Sequence, residues 1–423
     1  MKPTDHEIGP AFRREFANSR VWWTRAVVIV AAGVAGLTVV GFTWLTEVAI
    51  DAFTDLRLHW WWAPLLWTPL LTALVVWLTR RYAVGAGGSG IPQVMAALEP
   101  GLAPEQRGLF VSLKLALAKI GLTSMGLLAG LSLGREGPSV QVAAGVMLAA
   151  RRLLPKRAPV TAQGLLVAGG AAGIAAAFNT PLAGVMFAIE ELSRAPEQRS
   201  SGLIVSGIVL AGLIAVSING NATYFGVIRV VGIDRSLILP GLLVTLVCGV
   251  AGGLFARLLI ASISGDGPDV CSRFRRRRPV MFAAGCGLAV AVIGITTGGQ
   301  TFGSGYEHTR SMLEGTESAT SIYVLLKVVA TWLTTWAGVP AGIFAPSLAI
   351  GAAVGKDIAE FLQYPHAPTL IALGMAAFLA AVTQAPLTSL IIVMEMVDGH
   401  QMVLSLMAAA LVASAVSRSL TRS

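Results

Sequence analysis

Residues 119–140 read KIGLTSMGLLAGLSLGREGPSV, and residues 327–348 read KVVATWLTTWAGVPAGIFAPSL. Set side by side at an offset of 208 (327 − 119), Lys119 falls on Lys327, Gly134 on Gly342, Pro138 on Pro346 and Ser139 on Ser347. Two further blocks pair in the same order. FNTPLAGVMFAIEE (178–191) matches TQAPLTSLIIVMEM (383–396), with Pro181 on Pro386, Leu182 on Leu387 and Glu190 on Glu395. GSGIPQ, beginning at Gly88, matches GSGYEH, beginning at Gly303. Three blocks in one order at nearly one offset mark an internal duplication. Its halves run from about 20 to 218 and from about 237 to 420.

Composition says what solvent these blocks meet. Of 423 residues, 55% are hydrophobic and only 13% charged, about half the charged share of a soluble domain. Apolar runs recur at 27–46, 61–79, 109–133, 164–189, 203–218, 237–262, 280–297, 321–336, 369–394 and 402–417. Several could cross a bilayer core of about 30 Å as one helix of about 20 residues. The expectation is an all-α polytopic membrane protein forming a single membrane domain over 1–423. The start AFRREFANSRVWWTR is basic and amphipathic but has no small-residue cleavage site, and many spans follow, so it is not read as a removed signal peptide.

The net charge of +9 gathers at Arg13 and Arg14, Arg80 and Arg81, RRLLPKR (151–157), RFRRRRP (273–279) and the tail SRSLTRS. In such a chain, basic loops point to the cytoplasmic side of a membrane and not to nucleic acid. A multi-pass protein of the bacterial inner membrane with cytoplasmic termini is expected. Cys248, Cys271 and Cys286 lack metal-ligand spacing and read as free thiols or core fillers. No metal and no cofactor is expected.

Three glycine-rich breaks interrupt the apolar runs: GGSGIP (87–92), GREGP (134–138) and GIFAP (342–346). Each sets glycine ahead of an apolar helical stretch and proline near its first turn, where the missing N–H has no helical partner to lose. Each therefore reads as a helix start at membrane depth. A helix start presents unpaired N–H groups and partial positive charge, which suits an anion without a full cation. Ser89 adds a hydroxyl donor. GAGGSG (85–90) also fits a dinucleotide-binding pattern, but it follows the end of an apolar span (TRRYAV) where that pattern needs a strand.

Glu136 stands in the second break. An acid inside a membrane segment is read as functional first. Its carboxylate can occupy the place an anion would take, and protonation would release it, so one residue serves as gate and proton carrier. Arg135 reads as a structural partner of carbonyls and nearby acids. A second acid pair, Glu190 and Glu191, ends the apolar helix 182–189, which is expected to start near Pro181, and one of these acids could receive the proton. An intramembrane hydrolase is disfavoured, because none of the five histidines (His6, His59, His308, His366 and His400) sits in the middle of an apolar run.

These motifs resemble the CLC family of chloride channels and chloride/proton antiporters, in the family's order and over nearly the whole chain from about residue 20. The resemblance implies two inverted halves whose broken helices meet at a midplane anion site, and a homodimer with one pore per subunit. It implies bound chloride held by Ser89, Gly90, Ile91, Gly342, Ile343 and Phe344. Glu136 would be the external gate and Glu191 the internal proton-transfer acid, with Arg135, Gly134, Gly137, Pro138 and Glu190 in support. No C-terminal regulatory domain is expected. Two positions depart from the family. Its inner-gate tyrosine follows the last helix, whereas Tyr82, Tyr224, Tyr306, Tyr323 and Tyr364 all lie elsewhere, which leaves inner anion coordination open. Met95 stands where some bacterial antiporters carry an acid beside the internal glutamate. The expected function is proton-coupled chloride antiport. The alternatives are a passive channel of the same fold and a fluoride/proton antiporter, the latter disfavoured by Ser89 in GSGIP.

Overall fold

A computed structural model describes residues 19–155, 158–193, 201–220, 225, 235–264, 269–316 and 322–421. Arg13, Arg14, Lys156, Arg157, His6 and Tyr224 lie outside these. The described residues form helices joined by short loops, with no strand longer than a single bridge. The first half holds α1 (Ser19–His59), α2 (Pro64–Tyr82), α3 (Ile91–Ala97), α4 (Leu113–Leu128), α5 (Glu136–Ala149), α6 (Ala162–Phe178), α7 (Pro181–Phe187) and α8 (Ser201–Asn219). The second holds α9 (Ile238–Ser264), α10 (Val270–Arg277), α11 (Pro279–Thr296), α12 (Tyr306–Glu314), α13 (Tyr323–Ala337), α14 (Phe344–Phe361), α15 (Ala367–Thr383), α16 (Pro386–Met396) and α17 (Val403–Thr421). Apart from α10, the two series correspond one to one.

Two of the apolar runs are each two helices, the first with the helix start near Pro181 that the sequence reading expects. Run 164–189 breaks after Asn179, at φ 61°, before Pro181. Run 369–394 breaks after Gln384, at φ 60°, before Pro386. The left-handed residue closes the first helix and the proline opens the next. Among the described residues, five helices are long and apolar enough to cross a membrane, α1 and α9 among them. The shorter apolar helices include α6 and α15, the innermost of each half. Every residue of α6 but Gln163 is buried, and thirteen of the seventeen of α15 are. A helix apolar all round belongs in an interior. Small residues let these helices approach closely, as membrane packing requires when lipid supplies no hydrophobic drive: a Cβ on Gly169 would lie 2.7 Å from the Ala143 carbonyl oxygen.

Sequence leaves open how the halves face each other, and backbone geometry decides it. Gly134 N–H donates to the Gly342 carbonyl at 2.8 Å, and Gly342 N–H returns a bond to the Gly134 carbonyl at 2.9 Å. This antiparallel bridge joins equivalent residues, as an approximate two-fold axis between the halves requires. The same symmetry recurs at α7 and α16. Glu190 accepts from Leu387 N–H (3.0 Å) and Thr388 N–H (2.6 Å), while Glu395 accepts from Leu182 N–H (3.2 Å) and Ala183 N–H (2.8 Å). Each acid caps the helix start of the opposite half, where N–H groups lack intrahelical partners. The two broken-helix sets therefore meet head-on as an inverted pair.

The junction has no room for side chains. A Cβ on Gly342 would lie 2.7 Å from the Gly134 carbonyl oxygen and 3.0 Å from Pro138 Cδ. Backbone cannot yield cheaply there, so Gly342→Ala is expected to destabilise by about 1–3 kcal/mol. Gly121→Ala, whose Cβ meets nothing within 4 Å, is the matched control. Melting of the purified variants in detergent checks this, and equal midpoints would remove the close-approach argument.

Candidate functional site

The loop before α3 is shaped from both sides. Gly90, at φ 107°, takes a backbone conformation that a side chain would strain. Its N–H donates to Gln93 Oε1 at 2.9 Å, and Gln93 Nε2 donates back to the Gly87 carbonyl. Ser89 Oγ accepts from Ile91 N–H at 3.4 Å, which leaves its hydroxyl proton for another acceptor. Lys119, fully buried, donates to the carbonyls of Ala86 (2.8 Å) and Gly88 (2.6 Å). These bonds satisfy the ammonium group it buries and occupy two carbonyls of the loop before α3. Lys327 does the same in the second half, reaching Thr301 (3.0 Å) and Gly303 (2.8 Å).

The three breaks converge. A Cβ on Gly137 would lie 2.9 Å from the Ser89 carbonyl oxygen, 3.3 Å from Ser89 Cβ and 3.5 Å from Gly342 Cα. Ala341 N–H donates to the Gly88 carbonyl at 3.3 Å. The starts of α3, α5 and α14 thus lie against one another, and Ser89, Gly90, Ile91, Gly134, Gly137, Pro138, Gly342, Ile343 and Phe344 fall in or beside this cluster. Ile343 is the residue preceding α14, and Phe344 is its first.

Glu136 is 1% exposed. Its Oε2 accepts from Ala345 N–H, in the first turn of α14, at 3.4 Å. Its Oε1 is buried without a hydrogen-bond partner among the described residues. Arg135 turns the other way. Its Nη1 reaches Glu47 Oε1 (3.1 Å), Thr46 Oγ1 (3.2 Å) and the Thr43 carbonyl (3.4 Å) on α1. The adjacent charges therefore do not hydrogen-bond each other: the arginine braces α1, and the carboxylate rests on the helix start of the opposite half. Glu136 also lines a cavity of about 760 Å³ with Glu47, Asp51, Arg57, Arg135 and Glu307.

Glu190 and Glu191 part company. Residues Ala188–Leu192 form a π-turn continuing α7, and such wide turns re-aim side chains. Glu190 is spent on the start of α16. Glu191 is half-buried, finds no hydrogen-bond or ion-pair partner among the described residues, and lines a second cavity of about 430 Å³ with Met95, Glu99, Gln163 and Ser193. Met95 and Glu191, 96 positions apart (191 − 95), thus share one wall. Tyr306 lines the cavity beside Glu136, and Tyr323 is fully buried.

Sequence reading used Lys119 and Lys327 only as markers of the duplication. Their signal was available: a lysine well inside an apolar helix, repeated at the same place in each half, has to satisfy its charge inside the protein. What it bonds to could not be read, because the carbonyls lie 24 to 33 positions away.

A family model described as Voltage gated chloride channel matches residues 71–418. A protein of Citrobacter koseri called H(+)/Cl(-) exchange transporter ClcA is 30% identical over 400 residues, covering 90% of this chain and 82% of that protein. Its namesake in Salmonella paratyphi A is 30% identical over 407 residues, with the same coverage. Among solved structures, a slow cyanobacterial Cl−/H+ antiporter superposes with a TM-score of 0.80 at 25% identity, covering 94% of this chain and 95% of that one. A CLC-type fluoride/proton antiporter has the same fold, with a TM-score of 0.77 at 23% identity over 93% of this chain and 95% of that one.

Proposed function

Because this chain belongs to the voltage-gated chloride channel family, we propose that it exchanges chloride for protons across a bacterial cell membrane, with Glu136 as the shared element of both pathways. The observation that carries the reading is the bond from Ala345 N–H to the Glu136 carboxylate. A carboxylate on a helix start takes the place such a start offers to an anion. Protonation removes the negative charge and with it the attraction to the helix terminus. The side chain then leaves, and chloride takes over the N–H groups. Ile343 and Phe344 at the start of α14, Ser89 through its free hydroxyl proton, and the backbone of Gly90, Ile91 and Gly342 are the groups assigned to hold it. None of the groups assigned to chloride is a full cation, which suits an ion that must leave again.

The proton requires a second station, since the apolar interior gives it none. Glu191 is assigned that role, because it borders a cavity and has no bond to another side chain or backbone group among the described residues, whereas Glu190 has two. Relatives that exchange chloride for protons support the coupled reading. The active unit is proposed to be a homodimer with one pore per subunit and cytoplasmic termini. Purified protein in chloride-loaded liposomes, with chloride and proton fluxes recorded together, tests the coupling. Uphill proton movement driven by a chloride gradient is expected. Chloride flux without proton flux would make the protein a passive anion conductor instead.

A further inference from the structure

Helix α10 has no counterpart in the first half. The equivalent connection, between α1 and α2, is residues 60–63 alone, with Trp60, Trp61 and Trp62 all exposed. In the second half the connection is a basic helix running into α11. Five arginines occupy Arg273 and Arg275–Arg278, and no acid lies between Val270 and Met281. Asp269, just before the helix, is engaged as its N-cap, accepting from Ser272 N–H at 2.9 Å. Arg275 is half-buried and anchors the helix by donating to the Ser262 carbonyl of α9 at 2.8 Å. Its neighbours Arg273, Arg277 and Arg278 are exposed.

The patch extends to α2. Helix α2 packs along α11, where a Cβ on Gly287 would lie 2.7 Å from Thr72 Oγ1. Burial first, then Arg80, oppose the charge on Arg275 while Cys286 favours it, so the end of α2 adds to the same positive field. Arg81 lies over the Tyr82 ring at 5.9 Å, and Tyr82 meets Trp77 edge-on at 5.9 Å. Trp77, Tyr82, Phe274 and Met281 are all exposed. Aromatic rings at the level where apolar helices end mark the headgroup zone of a bilayer, and here they are interleaved with arginines. An arginine fork matches phosphate geometry, and basic side chains at a membrane surface attract anionic lipid.

We propose that α10, together with the end of α2, binds the phosphate headgroups of anionic phospholipids in the leaflet it faces. The ligand chemistry, a phosphate monoanion, could also come from free phosphate, but the flanking exposed aromatic and apolar side chains fit acyl chains and favour lipid. Native mass spectrometry of the full chain tests this, with added phosphatidylglycerol or phosphatidylcholine. The wild type is expected to retain phosphatidylglycerol preferentially. R273Q/R277Q/R278Q should weaken that retention by up to about a hundredfold, at about 1 kcal/mol per near-surface arginine. R151Q/R152Q, which neutralises basic residues elsewhere, should retain it, and excess inorganic phosphate should leave the lipid in place. Should the triple variant not elute as a single species, R278Q alone is expected to lose about fivefold. Undiminished retention in the arginine variants, or full displacement by inorganic phosphate, overturns the proposal.

Discussion

Glu136→Gln is expected to abolish proton transport and leave chloride transport running. The amide mimics the protonated carboxyl in size and neutrality. It keeps no charge to hold it on the start of α14, so the N–H groups near Ala345 become available to the anion at every moment. It also cannot take up or give back a proton. In chloride-loaded liposomes the variant should discharge the chloride gradient while the external pH stays flat. The effect is expected to be all-or-none because, in the proposed mechanism, one carboxyl does both jobs. Burial sharpens it: Glu136 is 1% exposed, and no other acid in its cavity approaches that. Glu47, which lines the same cavity, pairs with Arg135 and keeps a side chain 56% exposed. Glu136→Ala should behave alike if charge is the issue. Retained gradient-driven proton pumping in either variant would sink the gate assignment.

The second large effect is expected at Glu191. Glu191→Gln should end proton coupling and spare chloride flux, since the helix starts at Ser89, Ile343 and Phe344 do not depend on this acid. The matching change at Glu190 separates position from chemistry. Glu190 holds two N–H groups at the start of α16, so Glu190→Ala should lower stability by about 0.5–2 kcal/mol, the scale of a lost helix cap. It should leave coupling largely intact where the protein still folds. Glu395→Ala removes the symmetric cap on α7 and should cost a similar amount. A Glu191→Gln variant that pumps protons normally would show that the internal acid has been misassigned. A coupling loss at Glu190 but not at Glu191 would exchange their roles.

Much of this arrangement could be read before any coordinates. The duplication was legible because glycine and proline have few substitutes where backbones touch. Gly134 and Gly342 meet carbonyl to amide, and Pro138 packs on Gly342, so the same letters stand at both places. Membrane residence followed from apolar content, and the three helix starts from glycine-then-proline order. Glu136 stood out because an ionisable group in an apolar run has to be accounted for locally.

What the tertiary structure alone decided were the facts that depend on which remote groups come together. Run 369–394 is long enough for one span, and its break at Gln384 is signalled by a single glutamine and a proline whose effect depends on what packs there. Glu190 and Glu191 are identical in kind and adjacent. Only the start of α16, 197 and 198 positions from Glu190 (387 − 190 and 388 − 190), makes one a cap and leaves the other facing a cavity. Which carbonyls and acids Arg135 meets is set by the fold: the Thr43 carbonyl and Glu47 on α1, while the Glu136 carboxylate goes to Ala345 on α14. Short-range pattern specifies which backbone conformations are allowed. Partners are chosen by the inverted meeting of the two halves, and that meeting has no signature in local sequence because its contacts span about half the chain.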